Sequence, residues 1–211
     1  MTDLILSLDV TDRSEALRIA AAVAPEADAI KVGYPLVLAA GLGIAHDLAE
    51  LGLPLIADFK VADIPNTNTL ICEQVFAAGF SAVIAQGFPG PDSVLACVDA
   101  ARAAGGECYV VAEMSHPGAR TFFSEGVPER LCAIVAETGA DGIIAPATRP
   151  ERVRALREQV GTKKILSPGI GAQGGDPAAI AALVDGMIVG RSIYGAEDPA
   201  AAARAYAPYR R

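Results

Sequence analysis

The sequence contains little of the residue types that most often bind metals or form disulfides. Its two histidines, His46 and His116, belong to neither an H-x-H nor an H-E-x-x-H pattern, so a zinc site built from His and Cys is not expected. None of the four cysteines forms a C-x-x-C pair, and we interpret them as small buried apolar side chains. Any catalysis must therefore rest on Asp, Glu, Lys and Arg side chains and on amides.

The chain also lacks an excess of positive charge and a long uncharged apolar run. It has 17 Lys and Arg against 25 Asp and Glu, a net charge of −8, whereas nucleic-acid binding requires a basic surface. No window offers the roughly 18 uncharged apolar residues that a membrane span needs. Residues 1–9 lack the basic start of a signal peptide. We therefore expect a cytoplasmic protein with no nucleic-acid or membrane partner.

Short apolar runs alternate with Ala-rich, helix-like segments along the whole chain. The apolar fraction is 52% and the charged fraction 20%, which excludes intrinsic disorder and allows one well-packed core. We predict eight strands, at residues 4–8, 29–32, 55–59, 82–85, 108–112, 142–145, 164–167 and 187–189. Each is followed by a predicted helix, the first of them capped by Thr11 or Asp12.

The strands read as continuous apolar blocks, which is typical of a parallel sheet covered by helices on its faces. Eight strand–helix units predict an α/β fold of the closed (β/α)₈ type, a TIM barrel, with residues 1–211 forming a single domain. Six units would instead favour an open doubly wound sheet, and the uncertain boundaries of the segments leave that count open.

Polar residues follow nearly every predicted strand, at the ends that a barrel brings together at one mouth. These residues are Asp9, Lys31, Asp58, Lys60, Gln86, Glu113, Ser115, Thr148, Arg149, Ser167 and Arg191. At any single position, the polar residue is equally well explained by the exposure of strand ends to solvent. Asp58 and Lys60 are a stronger signal, because residues two apart on a strand point to the same face. We interpret Arg149 and Arg152 as the solvated start of a helix.

A glycine-rich segment, GIGAQGG at residues 169–175, follows the seventh strand and matches G-x-G-x-x-G. A dinucleotide site would need a βαβ unit and a later acidic residue, but only one strand remains. We favour a phosphate cradle of backbone N–H groups near a helix N-terminus, with the Arg191 guanidinium added after the eighth strand. This predicts a phosphomonoester substrate. Residues 115–127, the longest non-helical segment, are a candidate lid.

Residues 58–67, DFKVADIPNT, resemble the D-x-K-x-x-D signature of the orotidine 5′-monophosphate decarboxylase family. Further segments resemble the short archaeal-type members in the same order, at residues 8–10, 31–35, 87–90, 113–118, 167–177 and 189–194. Two magnesium-dependent sugar-phosphate enzymes, keto-gulonate-phosphate decarboxylase and hexulose-phosphate synthase, share D-x-K-x-x-D. The continuation Ile64-Pro65-x-Thr67 and the GAQGG loop favour the orotidylate enzymes. The sequence departs from that family at Gln86, where some relatives have His, and at Ala147, which replaces a Ser.

The resemblance implies decarboxylation of orotidine 5′-monophosphate to UMP, the last step of de novo pyrimidine synthesis, without a metal or other cofactor. It implies that Lys60 is the proton donor, that Asp58 faces the substrate carboxylate, and that Lys31 and Asp63 complete an alternating array. The resemblance also implies the contacts with the substrate. Asp9 and Lys31 would bind the ribose hydroxyls, and Ser115 would bond the pyrimidine. Gln173 would link phosphate and base, Gly190 and Arg191 would bind the phosphate, and Pro168 would lie beside them. The active form implied is a homodimer, in which Asp63, Ile64 and Thr67 reach into the neighbouring subunit's site.

The chemistry itself requires electrostatic stabilisation, because CO₂ loss from C6 leaves a carbanion that no π-system delocalises. A charged Lys60 can stabilise this carbanion and then protonate it, and neighbouring carboxylates favour the ammonium form. Asp58 near the departing carboxylate also suggests ground-state destabilisation by charge repulsion. Two alternatives stay open: a Mg²⁺-dependent sugar-phosphate decarboxylase or aldolase of the same suprafamily, and a non-catalytic phosphate-binding protein.

Overall fold

Eight parallel strands close into a barrel in the computed structural model, which describes residues 2–124 and 126–210. The strands are hydrogen-bonded in chain order, and β8 returns to pair with β1. Their bounds are β1 Asp3–Leu8, β2 Ala29–Gly33, β3 Leu55–Val61, β4 Ala82–Gln86, β5 Glu107–Val111, β6 Gly142–Ile144, β7 Lys164–Pro168 and β8 Gly186–Val189. The predicted (β/α)₈ barrel is confirmed, and the open sheet is wrong because the pairing of β1 with β8 leaves no edge.

Helices follow the strands, as the alternating pattern predicts. The ten α-helices of the described residues are α1 Arg13–Val23, α2 Tyr34–Ala40, α3 Ile44–Ala49, α4 Pro65–Ala77, α5 Pro91–Ala103, α6 Val127–Thr138, α7 Pro150–Val160, α8 Pro177–Ile180, α9 Arg191–Tyr194 and α10 Pro199–Arg204. Asp12 caps α1 by accepting the Glu15 N–H at 2.8 Å. The helical segment after β2 is divided into α2 and α3, because Gly41 adopts φ +78°, outside the helical region.

The core consists of the strand residues and the inner faces of the helices. Leu4, Leu6 and Ile30 are fully buried, and each such side chain contributes about 1.5–3 kcal/mol of hydrophobic stabilisation. Gly142 is required where β6 pairs with β7, because a Cβ there would lie 2.1 Å from the carbonyl oxygen of Lys164. The tight pairing of these short strands therefore depends on the absence of a side chain.

Part of the candidate lid, residues 115–127, is buried against the rest of the protein. It contains a short 3₁₀ helix, Pro117–Thr121, and Ala119 and Phe123 within the segment are buried. The Phe123 ring packs edge-on against Phe88, with the centroids 5.0 Å apart. Glu125 lies outside the described residues, and a lid role for the segment stays a prediction. In the described part of the chain, no helix is both long enough and apolar enough to cross a membrane.

Candidate active site

A cavity of about 230 Å³ lies where the carboxyl ends of the strands meet. Nine of the site residues implied by the family resemblance line it, and Glu113 lines it as well; the nine are Asp9, Lys31, Asp58, Lys60, Ser115, Pro168, Gln173, Gly190 and Arg191. They come from six different strands or the loops that follow them, and only barrel closure brings them together. Apolar strand residues such as Ile84, Val111 and Ile188 complete the lining. The cavity is therefore charged on one part of its wall and apolar on another.

Four charged side chains of alternating sign run along the wall formed by β1, β2 and β3. Asp58 Oδ2 accepts a hydrogen bond from Lys31 Nζ at 2.6 Å, and Asp58 Oδ1 accepts one from Lys60 Nζ at 2.6 Å. Lys31 Nζ also lies 3.9 Å from Asp9 Oδ1. Lys31 is 5% exposed, so its charge depends on these carboxylates, whereas the Lys60 side chain is 37% exposed.

The ionisation of Asp58 is set by two opposing effects. Burial raises the pKa of Asp58, but the ammonium groups of Lys31 and Lys60 outweigh burial and hold this pKa below its ordinary value. Asp58 is therefore a carboxylate at neutral pH. Its negative charge attracts the Nζ groups of both lysines, which lie 2.6 Å from its two oxygens.

The end of β3 has an unusual backbone that sets the position of Lys60. The register between β3 and β4 shifts between Ala57 and Val61. Lys60 adopts φ +46°, the only positive φ of a non-glycine residue in ranges 2–124 and 126–210. Such a conformation costs about 1–3 kcal/mol, and both bulges and strained residues are concentrated at functional sites. The alternation of the sequence predicted the neighbouring positions of Asp58 and Lys60, but not this bend.

Two further polar residues line the cavity and were missed from the sequence. Ser7 Oγ donates to Asp9 Oδ2 at 2.7 Å and so orients that carboxylate. Ser7 is two residues before Asp9, and the same strand alternation could have identified it. Tyr194 lies in α9, a helix that was not predicted. Burial, followed by the charge of Asp9, raises the pKa of Tyr194.

The interpretation of Arg149 and Arg152 as solvated residues is wrong. Both bind Glu113, which is 3% exposed at the end of β5: Arg149 Nε lies 2.7 Å from Oε1, and Arg152 Nε lies 3.0 Å from Oε2. Arg149 also donates to the Met114 carbonyl, and Arg152 binds Glu129 at 2.8 Å. A buried carboxylate needs such partners, and Glu113 comes from a distant part of the chain, so local sequence could not reveal the pairing.

The glycine-rich segment forms a tight loop over the cavity. Gly169 and Gly171 have φ of +96° and +70°, and the Gly175 N–H donates to the Gly169 carbonyl at 2.9 Å. Gln173 Oε1 accepts a hydrogen bond from Ser115 Oγ at 2.8 Å, which joins this loop to the segment after β5.

The phosphate cradle near a helix N-terminus stays a prediction. Asp176 caps α8 by accepting the Ala178 N–H at 2.9 Å, so the start of that helix is already occupied by a carboxylate. Of α8 and α9, it is α9, directly after Gly190, that begins without a side-chain cap. Arg191, its first residue, lines the cavity.

Three of the predicted site residues are not in the cavity of their own chain. Asp63 and Ile64 line a separate, shallow depression together with Ser93, and Ile64 is 65% exposed. Thr67 follows in the first turn of α4 and is half-buried. The participation of these residues in a neighbouring subunit's site stays a prediction.

The acidic side chains of the site are paired with cations of the protein. No group of three or more His, Cys, Asp or Glu side chains in residues 2–124 and 126–210 is arranged to hold a metal ion. The carboxylates of the cavity face cations of the protein: Asp58 faces two lysines, and Glu113 faces two arginines. That the reaction needs no metal or other cofactor remains a prediction.

Comparison with known proteins agrees with the resemblance. Residues 2–206 match the model of the "Orotidine 5'-phosphate decarboxylase / HUMPS family". A curated relative from Methanosarcina barkeri, named orotidine 5'-phosphate decarboxylase, is 59% identical over 203 residues, covering 95% of this chain and 91% of the relative. A relative of the same name from Thermococcus kodakarensis is 50% identical, over 95% of this chain and 93% of its own.

Solved structures give the same result. The crystal structure of orotidine 5'-monophosphate decarboxylase from Methanocaldococcus jannaschii, complexed with inhibitor BMP, superposes with a TM-score of 0.94 at 41% identity, covering 99% of this chain and 98% of that one. The enzyme from Sulfolobus solfataricus superposes with a TM-score of 0.85 at 31% identity, covering 97% and 95%. The match extends over nearly the full length in sequence and in structure, and the chain therefore belongs to the orotidine 5'-phosphate decarboxylase family.

Proposed function

We infer that this chain is a carboxy-lyase that converts orotidine 5′-phosphate to UMP and CO₂. The observation that carries this inference is the Lys31–Asp58–Lys60 array, which lies in one cavity with the glycine-rich loop and Arg191. The array offers a cation and a proton where CO₂ leaves, and the loop and Arg191 offer donors for a phosphate. The nucleotide substrate joins these two ends.

We propose that the substrate spans the cavity from Lys60 to Arg191. Gly190, Arg191 and Gln173 bind the phosphate, with Gln173 also reaching the base. Asp9 and Lys31 bind the ribose hydroxyls, Ser115 bonds the pyrimidine, and Pro168 packs beside it. All of these residues line the same cavity, which supports this placement. The hydrogen bond between Ser115 and Gln173 supports a link between base recognition and the phosphate loop.

The reaction at C6 then needs one proton and no external electron acceptor. The C6–carboxylate bond breaks, its electron pair stays on C6, and CO₂ leaves. Lys60 gives its ammonium proton to C6, which forms UMP and leaves a neutral amine that regains a proton from water. Asp58, held ionised by Lys31 and Lys60, binds Lys60 Nζ before the transfer and lies where the substrate carboxylate would be repelled.

The phosphate of the substrate is far from the reacting carbon, so it contributes to catalysis through its binding. Its binding energy can hold the glycine-rich loop over the site and offset the crowding of charges at C6. Glycine at positions 169 and 171 allows the loop its positive φ angles, which other residues adopt only with strain.

We further propose that the active form is a homodimer, with Asp63, Ile64 and Thr67 contributed to the neighbouring subunit's site. The exposed side chain of Ile64 and the position of all three residues outside the cavity of their own chain support this arrangement.

We also propose that residues 1–211 form a single domain. The proposal also places the enzyme in the cytoplasm, where a reducing environment suits four buried free cysteines. The charge of −8 supports the absence of a nucleic-acid partner.

The function is tested by mixing purified protein with orotidine 5′-phosphate and excess EDTA and following the loss of the substrate's ultraviolet absorbance. We expect full turnover in EDTA and none from Lys60→Ala, which should still bind UMP. No turnover of orotidine 5′-phosphate, together with Mg²⁺-dependent cleavage of a sugar phosphate, would instead support the sugar-phosphate lyase alternative. Stabilisation by the nucleotide without product would identify a binding protein.

A further inference from the structure

Asp63 is held at both of its backbone polar groups by buried side chains from two helices. The Asp63 N–H donates to Asn68 Oδ1 at 2.9 Å, and the Asp63 carbonyl accepts from Ser93 Oγ at 2.8 Å. Asn68 in α4 is 0% exposed, and Ser93 in α5 is 2% exposed. Asn and Ser side chains are rarely buried so completely. Here both form hydrogen bonds, and the Asp63 backbone is a partner of each.

The two side chains also bind each other. Asn68 Nδ2 donates to Ser93 Oγ at 2.8 Å and to the Ser93 carbonyl at 3.0 Å. The Asn68 N–H in turn donates to the Ile64 carbonyl at 3.0 Å. The first turns of α4 and α5 are thus tied together, and the Asp63–Ile64 backbone is joined to both. Moving this backbone would leave buried polar groups without partners.

The hydrogen-bond network of Asn68 and Ser93 lies outside the cavity of its own chain. Neither Asn68 nor Ser93 lines that cavity, whereas Asp63, Ile64 and Ser93 line the shallow depression beside it. Asp63 and Ile64 are themselves exposed. An exposed segment fixed by a fully buried network is held in one conformation before any partner arrives, which is the condition for precise binding.

We propose that Asn68 and Ser93 are positioning residues, which fix Asp63 and Ile64 for use in the neighbouring subunit's active site. This inference rests on the proposed homodimeric function, in which Asp63 lies near Lys60 of the partner subunit. A shift of about 1 Å in such a group costs up to about 100-fold in rate, so we expect Asn68→Ala to lower kcat about 10- to 100-fold. Ser93→Ala, which removes one of the two bonds to Asp63, lowers kcat less.

Mixed dimers locate the effect in one subunit. Asn68→Ala chains are mixed with Lys60→Ala chains, allowed to exchange, and assayed for kcat and KM. In a hybrid dimer, one site combines an intact Lys60 with an intact Asn68 across the interface, and the other site has neither. Random exchange makes half of the dimers hybrid, so about one quarter of the wild-type activity per chain is expected from two impaired parents.

Recovery to this level, with the KM of the wild-type enzyme, supports the proposal. Hybrids as slow as the Asn68→Ala homodimer would place the effect within its own subunit and overturn it. A parallel mixture of Lys60→Ala with Asp63→Asn tests the underlying function: no recovery there would refute the dimeric site itself. Recovery only in that mixture would refute the positioning role alone.

Folding defects are separated from positioning by two other variants. Ser93→Ala leaves a smaller void than Asn68→Ala and is mixed with Lys60→Ala in the same way, with the same two outcomes. Thr138→Val removes a comparably buried side-chain hydrogen bond, from Thr138 Oγ1 to the Ile134 carbonyl at 2.7 Å in α6. It should keep the wild-type kcat. An equal loss of kcat in Thr138→Val would show that general destabilisation, and not positioning, explains the result.

Discussion

Two partly buried ionic clusters lie at the mouth of the barrel, and they differ in their cations. The lysine cluster consists of Asp9, Lys31, Asp58 and Lys60, and the arginine cluster consists of Glu113, Glu129, Arg149 and Arg152. Both contribute residues to the cavity wall, so proximity does not distinguish them. The chemistry of their cations distinguishes the two clusters, because a lysine ammonium can give up a proton whereas an arginine guanidinium remains charged.

The geometry of the clusters supports different roles. In the arginine cluster, the guanidinium groups bind carboxylates and the Met114 carbonyl, which fixes the chain just before Ser115. In the lysine cluster, Lys60 has one hydrogen bond to Asp58 and a side chain that is 37% exposed, and its ammonium has three donors. The arginine cluster is suited to holding a loop, and the lysine cluster is suited to proton transfer.

The largest effect is expected at Lys60. Lys60→Arg keeps a positive charge next to Asp58 but cannot deliver a proton, so kcat should fall by about 10⁴-fold. The matched change in the other cluster, Arg149→Lys, should keep kcat within about 10-fold, because it alters support and not proton transfer. Steady-state kinetics and UMP binding by calorimetry measure both variants. Similar losses in the two variants would remove the distinction between the clusters.

A smaller loss is expected at the phosphate end. Arg191→Ala removes a charge-assisted contact and should lower kcat/KM about 10- to 100-fold for orotidine 5′-phosphate. Orotidine without its phosphate should react far more slowly than the nucleotide even when saturating, and Arg191→Ala should hardly change its rate. Equal saturated rates for nucleoside and nucleotide would contradict a use of phosphate binding in catalysis.

Glu113→Gln tests the supporting role of the arginine cluster. It removes the buried charge between two arginines and should lower the free energy of unfolding by about 3 kcal/mol, with a loss of kcat below about 10-fold. Urea denaturation and kinetics on the same preparation give both numbers. A loss of activity as deep as that of Lys60→Arg, with unchanged stability, would place Glu113 in the chemistry.

The smallest effect is a pH dependence that separates Asp58 from a surface carboxylate. Because the folded-state pKa of Asp58 is lowered, its contribution to stability is complete above the unfolded value of about 3.9 and is lost as pH falls through the folded value. The free energy of unfolding should therefore decline below about pH 4, and Asp58→Asn should flatten this decline. Asp99→Asn, at an exposed ion pair with Arg102, is the control. An unchanged slope in Asp58→Asn would contradict the lowered pKa.

Much of the fold could be predicted, because it follows from local patterns. Continuous apolar strands and their spacing indicate a parallel barrel, and the proline and glycine positions mark helix ends. The short helix α9 was missed because its four residues, Arg191–Tyr194, carry no periodic signal. The bend at Lys60 was missed because its positive φ depends on the register between β3 and β4.

The candidate site could be predicted only where its residues belong to strand ends or to a recognised motif. Asp9, Lys31, Asp58 and Lys60 meet these conditions, and the structure brings them together. The pairing of Arg149 with Glu113 could not be predicted, although both residues follow strands, because the two are 36 residues apart and a pairing over that distance depends on the folded chain. The Asn68–Ser93 network was missed for the same reason, since its contacts join two helices.

In the proposed reaction, the charged amine of Lys60 delivers a proton to C6 of the pyrimidine. A crystal structure of the homodimer with UMP bound tests this step. We expect Lys60 Nζ to lie about 3–3.5 Å from C6 and to keep its contact with Asp58. A separation of more than about 5 Å from a well-ordered nucleotide, with another donor nearer to C6, would contradict it.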